Sequence, residues 1–288
     1  SRLLDAVRSD ETPAFFCKVL VVISYLKNGG MFTDFYRGAE AILPVLATRF
    51  QPEIVWGIYG NSDCWAIARR LAQLAGCNWV ADMKDAWEST MPQGIRRVIS
   101  WRFRDMTAAT SNSESNTRSL ERWFHIRAST VYSGVADCFF PENAGVPSSK
   151  NQVRIVIVGS ISSVQLLKSF SDGVFSWFRG HAPSDGLTLE IIYAGGDHDK
   201  AQFALDRLRE IADVRIHSYL PLETLAEQCR SATVSAYVRN PRGFHHKLME
   251  LLACGRPILT IGQESEESHR LADIAGGRLY ECADPAGI

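Results

Sequence analysis

Along most of the chain, short apolar runs alternate with longer stretches whose apolar positions recur every three or four residues, and Gly, Pro, Asn, Asp and Ser fall between them. The short runs predict strands buried on both faces, and the longer stretches predict helices laid against them. On this reading strands occupy 54–59, 78–82, 106–112, 153–158, 187–194, 214–217, 233–238 and 258–261, with a further run at 130–137. Helices occupy 64–74, 93–103, 113–124, 167–178, 201–212, 222–229, 245–254 and 264–275. Strand and helix in alternation predict parallel sheets covered by helices, an α/β fold. After Pro141 the sequence ENAGVPSSKNQ is polar and rich in Pro, Gly and Ser, which is linker composition. It divides the chain into a first domain over 1–141, a linker over 142–152 and a second domain over 153–288.

The first fifty residues depart from the alternation and read as mostly helical, over 1–8 and 33–49. Between them lies AFFCKVLVVISYL at 14–26, which is shorter than the roughly 20 residues a membrane span needs and carries Lys18. A buried helix or strand is preferred there over a helix lying on a membrane surface. No strand with a Gly-rich loop opens the chain, as a Rossmann-like domain would begin, so an upstream piece is expected to be missing.

The densest stretch is TVSAYVRNPRGFHHKLMELLACGRPILTIG at 233–262. It holds a strand, turn chemistry at Asn240-Pro241-Arg242-Gly243, a helix with Leu248, Leu251 and Leu252 inward, a stop at Gly255 and Pro257, and a second buried strand. Lys247 and Glu250 are three apart and share a helix face. Such a pair is usually a solvated ion pair. Here a basic loop with Arg239 and Arg242 feeds the helix start, where unpaired N–H groups favour an anion. A second charged group, Asp82-Met-Lys84-Asp85-Ala-Trp87, follows the predicted strand 78–82. It falls at the carboxyl edge of a parallel sheet, where open α/β folds bind ligands. Two aspartates capping the N–H groups of the next loop would look the same.

Lys247, Glu250, Ala253, Gly255, Arg256 and Pro257 resemble the nucleotide-sugar signature of the retaining glycosyltransferases of the large family four. Asp82, Lys84, Asp85 and Trp87 resemble that family's Asp-x-Arg-Asp-x-Trp segment, with Lys in place of Arg. The run Val131 to Asp137 resembles the segment that closes its N-terminal domain, with Ser133 where Asn is common. The resemblance implies two facing Rossmann-like domains with parallel sheets, the B-type glycosyltransferase fold, and a chain lacking pieces at both ends. It implies a metal-independent transfer, without cofactor, from a nucleoside-diphosphate sugar to a glycan or lipid-linked acceptor, with retention of configuration. Glu250 would hold the donor ribose, and Tyr219 would stack on the base. Gly159, Ser160, Arg242, Gly243, Lys247 and Leu248 would complete the donor site, and Lys247 would also neutralise the leaving diphosphate. Asn61, Asp82 and Asp85 would face the acceptor, with Asp85 orienting it. The setting of such relatives implies a cytoplasmic protein in peripheral contact with the inner face of a membrane. Departures from the family are Arg242 where many members have Glu, Ser218 where Gly is usual, and no cation between Gly159 and Lys168.

Composition narrows this further. The chain has 288 residues, 46% hydrophobic and 22% charged, with a formal net charge of -1, so nothing in it attracts nucleic acid at large. Its seven Cys are scattered, without metal-ligand spacing, and read as reduced core thiols. Two other readings remain open: a nucleotide-sugar epimerase on the same fold, for which His245 and His246 are available, and a non-catalytic binding or assembly protein, which the departures favour.

Overall fold

The computed structural model describes residues 14–28, 30, 33–91, 93–141, 151–181, 186–240 and 244–282. The chain packs into two units, Ser1–Tyr132 and Ser133–Ile288, each built on an all-parallel sheet. Most of the expected linker, and the expected helix at 1–8, lie outside the described residues. Among the described residues no helix is long and apolar enough to cross a membrane.

The described part of the first unit starts with α1 (Ala14–Asn28), α2 (Thr33–Glu40) and α3 (Leu43–Phe50). The single helix expected over 33–49 is two because Pro44 sits in the first turn of α3, where its missing N–H is harmless, and cannot sit inside a longer helix. The segment 14–26 is a helix, but it is not buried all round. Tyr25 packs inward while Phe16, Ile23 and Leu26 are exposed on its other side. Then follow β1 (Ile54–Tyr59), α4 (Ser62–Ala75), β2 (Asn78–Met83), α5 (Trp87–Thr90), α6 (Arg96–Arg102), β3 (Ala108–Ser111), α7 (Glu114–Phe124) and β4 (Ala128–Thr130). The strands pair in chain order, β1-β2-β3-β4.

Small residues set the depth at which α4 meets β1. A Cβ on Gly57 would fall 2.7 Å from that of Ala68, so neither position tolerates a larger side chain. Trp65 fills the space beside them, is wholly buried, and donates its indole N–H to the Gly57 carbonyl at 3.0 Å. Asn61 caps the start of α4, and Gly76, at φ 68°, ends it.

The second unit holds β5 (Gln152–Val158), α8 (Val164–His181), β6 (Thr188–Ala194), α9 (His198–Leu205), β7 (Asp213–His217), α10 (Leu222–Ser231), β8 (Val234–Val238), α11 (Lys247–Ala253), β9 (Ile258–Ile261), α12 (Glu266–Ile274) and β10 (Leu279–Cys282). Their order in the sheet is β10-β9-β8-β5-β6-β7. The chain lays β5, β6 and β7 outward in one direction, then crosses back to add β8, β9 and β10 on the other side of β5. β5 is therefore central and its residues alternate between two cores. Ile155 and Ile157 pack against Leu167, Phe170 and Val174 of α8. Val156 and Val158 pack against Ala226 of α10 and against Leu248 and Leu251 of α11. Burying each such side chain is worth roughly 1.5–3 kcal/mol, which explains why this strand reads as a continuous apolar run.

The run 130–137 supplies only the end of β4, and the second unit begins within it at Ser133. Phe139 is buried against the core on the α10 and α11 side, and Arg230 donates to the Cys138 carbonyl. β10 escaped the sequence reading because LYEC is short and carries Glu281 at a position facing α12, where its carboxylate meets His269 at 2.7 Å.

Candidate functional site

A parallel sheet whose strand order reverses leaves a crevice at its carboxyl edge, because the loops on either side of the reversal run apart. In the second unit the reversal falls between β5 and β8. A cavity of about 390 Å³ opens at this edge, lined by Gly159 and Ser160 after β5, Gly195 and Gly196 after β6, Tyr219 after β7 and Lys247 at the start of α11.

The floor is made by glycine turns fitted to one another. A Cβ on Gly195 would lie 2.2 Å from the Gly159 carbonyl oxygen and 2.5 Å from the Tyr193 hydroxyl. Gly159 itself has φ 91°, a left-handed conformation that favours glycine. Tyr193 locks the two turns by donating its hydroxyl to the Gly159 carbonyl at 2.9 Å and accepting from the Asp197 amide at 3.2 Å. Backbone thus lies bare at the cavity floor, as close approach of a ligand's phosphates requires. Tyr219 is 82% exposed and stands over Gly196, where a Cβ would meet its hydroxyl at 3.0 Å.

Two charged pairs flank the floor. Lys247 and Glu250 meet at 2.7 Å, both partly buried. The sequence placed these two residues on one helix face, and the structure joins them as an ion pair with the lysine on the cavity wall. Asp197 and Lys200 form the second pair at 2.7 Å. Asp197 also accepts from the Ile161 amide at 2.7 Å, and Lys200 donates to the Ile161 carbonyl at 3.2 Å. The lysine hydrogen bond, followed by the Ile161 amide, holds the Asp197 carboxyl below the usual carboxylate range. Lys200 therefore brings a cation close to the turn that lacks one in sequence, but Asp197 already neutralises it. This pair was not predicted from sequence. Its only signal is Gly195-Gly196-Asp197 closing a strand with Lys200 three residues on.

His245 sits behind the floor. Its ring stacks on Tyr237, centroids 4.5 Å apart and planes at 28°, and its Cε1 would touch a Cβ on Gly159 at 3.3 Å. Burial, with His246 and Lys247 as lesser causes, pushes its pKa down to about 4. It is neutral at pH 7 and acts as a spacer, adding no charge to the site. Leu248, expected at the donor site, is wholly buried in the core under α11 and does not line the cavity. Arg242 and Gly243 lie outside the described residues.

At the carboxyl edge of the first unit the expected residues are not gathered in the same way. Asn61 spends its side-chain oxygen on the amides of Asp63 and Cys64, at 2.9 and 3.3 Å, as a helix cap. Asp82 is 4% exposed, accepts from Thr110 at 2.9 Å and pairs with Lys84 at 3.2 Å. Asp85 is exposed. Trp87 is core, with its indole N–H on Ser119 at 3.1 Å. Among the described residues no three His, Cys, Asp or Glu side chains stand close enough together to hold a metal ion.

No protein-family model and no curated protein sequence matches the chain. Solved structures do match. A glycosyltransferase from Rickettsia africae is similar with a TM-score of 0.64 at 12% identity, over 88% of this chain and 68% of that one. The N-terminal domain of trehalose-6-phosphate phosphatase from Candida albicans gives a TM-score of 0.61 at 13% identity, over 89% and 65%. A putative UDP-N-acetylglucosamine 2-epimerase from Listeria monocytogenes gives 0.57 at 12%, over 87% and 67%. The chain has the fold of the B-type glycosyltransferases, and it spans about two thirds of each of these structures.

Proposed function

We propose that the protein is a glycosyltransferase that uses a nucleoside-diphosphate sugar, and that the donor's diphosphate occupies the cavity at the β5–β8 reversal. The observation that carries this reading is the pair of interlocked glycine turns at Gly159 and Gly195, with Lys247 lining the same cavity directly beside Gly159, where a Cβ would lie 3.5 Å from the lysine Cγ. Bare backbone with a partly buried ammonium beside it suits a group with negative charge on several oxygens.

Glu250 pairs with Lys247 at 2.7 Å. When the donor binds, Glu250 takes the ribose hydroxyls and Lys247 turns to the phosphates. The lysine's charge then grows in value as the leaving group gains charge in the transition state. The bond from the anomeric carbon to the phosphate oxygen breaks, the acceptor oxygen takes the carbon with retention, and the acceptor's proton leaves with the diphosphate. Gly159 and Ser160 approach the phosphates, and Arg242 and Gly243 are further donor-binding residues. Tyr219, already exposed above Gly196, stacks on the base. Asp85 orients a glycan or lipid-linked acceptor at the first unit's carboxyl edge, at the inner face of a membrane, without a metal ion.

The test is release of nucleoside diphosphate from a panel of uridine, guanosine, adenosine and thymidine diphosphate sugars by the intact protein, with glycan and lipid-linked acceptors present. Turnover of one donor that disappears in Lys247→Ala supports the reading. Interconversion of epimeric sugars without net diphosphate transfer would make the protein an epimerase. Binding of a donor with no turnover under any acceptor would leave a binding protein on the same fold.

A further inference from the structure

We propose that the first unit carries a second binding site, for an anionic saccharide, in the groove between the ends of α6 and α7. Both helices run back from the carboxyl edge of the sheet, so their last turns lie beside the starts of β3 and β4. The groove is therefore at the amino edge, opposite Asn61, Asp82 and Asp85. It encloses about 610 Å³ and is lined by Arg97, Trp101 and Arg104 from one side and Arg122, Trp123 and His125 from the other.

Two indoles and three guanidinium groups converge here, in a chain whose formal net charge is -1. Trp101 is 63% exposed, with the Arg104 guanidinium 5.1 Å from its ring centroid. Trp123 is held rigidly. It packs edge-on against buried Trp87 at 5.5 Å and 85°, and its indole N–H donates to the Glu88 carboxylate. Arg122 pairs with the same carboxylate at 2.8 Å, and Asp105 is taken by Arg69 at 2.7 Å. Among the described residues no carboxylate pairs with Arg97 or Arg104. Glu88 and Asp105, the acids named beside the groove, are thus committed to Trp123 and Arg122 and to Arg69, while among the described residues the two guanidinium groups of Arg97 and Arg104, beside an exposed indole, have no carboxylate partner.

This chemistry has two halves. An indole face takes the flat apolar side of a ring, and a guanidinium fork takes a carboxylate, phosphate or sulfate in two parallel hydrogen bonds. A saccharide carrying an acidic group presents both within a few ångströms. A bilayer would be met by protruding apolar side chains with polar groups turned outward, whereas here the half-buried indole lies in a concave wall with its N–H turned inward. A nucleic acid strand needs a basic stripe along which several phosphates follow one another. The surface of α7 instead alternates sign, with Glu114, Arg118, Glu121 and Arg122.

The experiment is calorimetric titration of the intact protein with tetragalacturonate, with a phosphorylated oligosaccharide and with neutral maltotetraose, while the tryptophan indole N–H resonances are followed. Exposed Arg97 and Arg104 are replaced together (Arg97→Gln with Arg104→Gln), and Trp101→Ala is made separately. Melting temperature confirms that each variant folds. An acidic saccharide is expected to bind at least about tenfold tighter than maltotetraose, shifting the Trp101 and Trp123 resonances, and to lose about tenfold or more in either variant. Equal affinity for maltotetraose, no binding of either acidic saccharide at millimolar concentration, or binding undiminished in both variants would overturn the proposal. Tighter capture by phosphatidylglycerol vesicles or by a thymidine oligonucleotide would overturn it as well. Nucleoside diphosphate binding is titrated separately, so failure of the donor site and failure of this groove are distinct results.

Discussion

The carboxyl edges of the two sheets carry charged residues in similar places, yet among the described residues they are engaged differently. In the first unit the strands follow one another in order, and the polar side chains at their ends are largely absorbed by the fold: Asn61 caps α4, and Asp82 is buried between Thr110 and Lys84. In the second unit the strand order reverses, the turns after β5 and β6 interlock through glycines, and Lys247 with Glu250 stands at the opening. The same residue types therefore have different meanings at the two edges. What separates them is what the neighbouring turns and side chains bond to, a property of topology and not of charge.

Glycine substitution sharpens this contrast most. Gly195→Ala drives a methyl group into the Gly159 carbonyl and the Tyr193 hydroxyl, and is expected to cost at least about 2 kcal/mol in urea unfolding. Gly60→Ala, after β1, meets nothing within 4 Å and is expected to change stability by less than about 0.5 kcal/mol. Equal effects would mean that the two edges are built alike.

Next in size is the charge at the cavity. Lys247→Ala is expected to weaken nucleoside diphosphate binding about tenfold or more, since a charge-assisted contact is worth about 1.5–3 kcal/mol. Asp85→Asn is expected to leave that affinity unchanged while reducing transfer. The reverse pattern in titration and turnover would put the donor at the other edge. Asn61→Ala should lower unfolding stability by about 1 kcal/mol through the lost cap, with nucleotide affinity intact. A drop in affinity instead would give Asn61 a ligand-binding role.

The smallest effect is a pH dependence. The His245 pKa is lowered from 6.5 to about 4 in the folded state, so between those values the unfolded chain binds more protons than the folded one. Stability then falls as pH falls through that window. Unfolding at pH 7 and pH 4.5 should show a smaller loss for His245→Gln than for the unaltered protein. An equal loss would mean that His245 is not held neutral against Tyr237.

Much of this fold was legible because buried parallel strands are continuous apolar runs with punctuation at both ends. The stretches 54–59, 153–158 and 258–261 have that form and are strands. The helix split before Pro44 was legible in principle, since proline marks its own place in a helix. β10 was not, because a four-residue edge strand with a glutamate in it has no distinctive pattern. The candidate site divides in the same way. Lys247 and Glu250 share a helix, so local spacing predicts their meeting. Gly159 against Gly195, and Lys200 against Ile161, are brought together only by the pairing of β5 with β6. No local window contains both partners. Leu248 was placed at the donor site by the resemblance, whereas its helical spacing turned it inward, and it is in the core.

The measurement that bears most directly on the central claim is binding of nucleoside diphosphates to the intact protein, by calorimetry and thermal unfolding, with Lys247→Ala and Glu250→Ala in parallel. A ligand that binds only the folded state raises its melting temperature. One diphosphate is expected to bind and stabilise the protein, the corresponding nucleoside without phosphates to do so far less, and both variants to lose the effect. Absence of binding by every nucleoside diphosphate, or binding indifferent to both substitutions, would contradict that expectation.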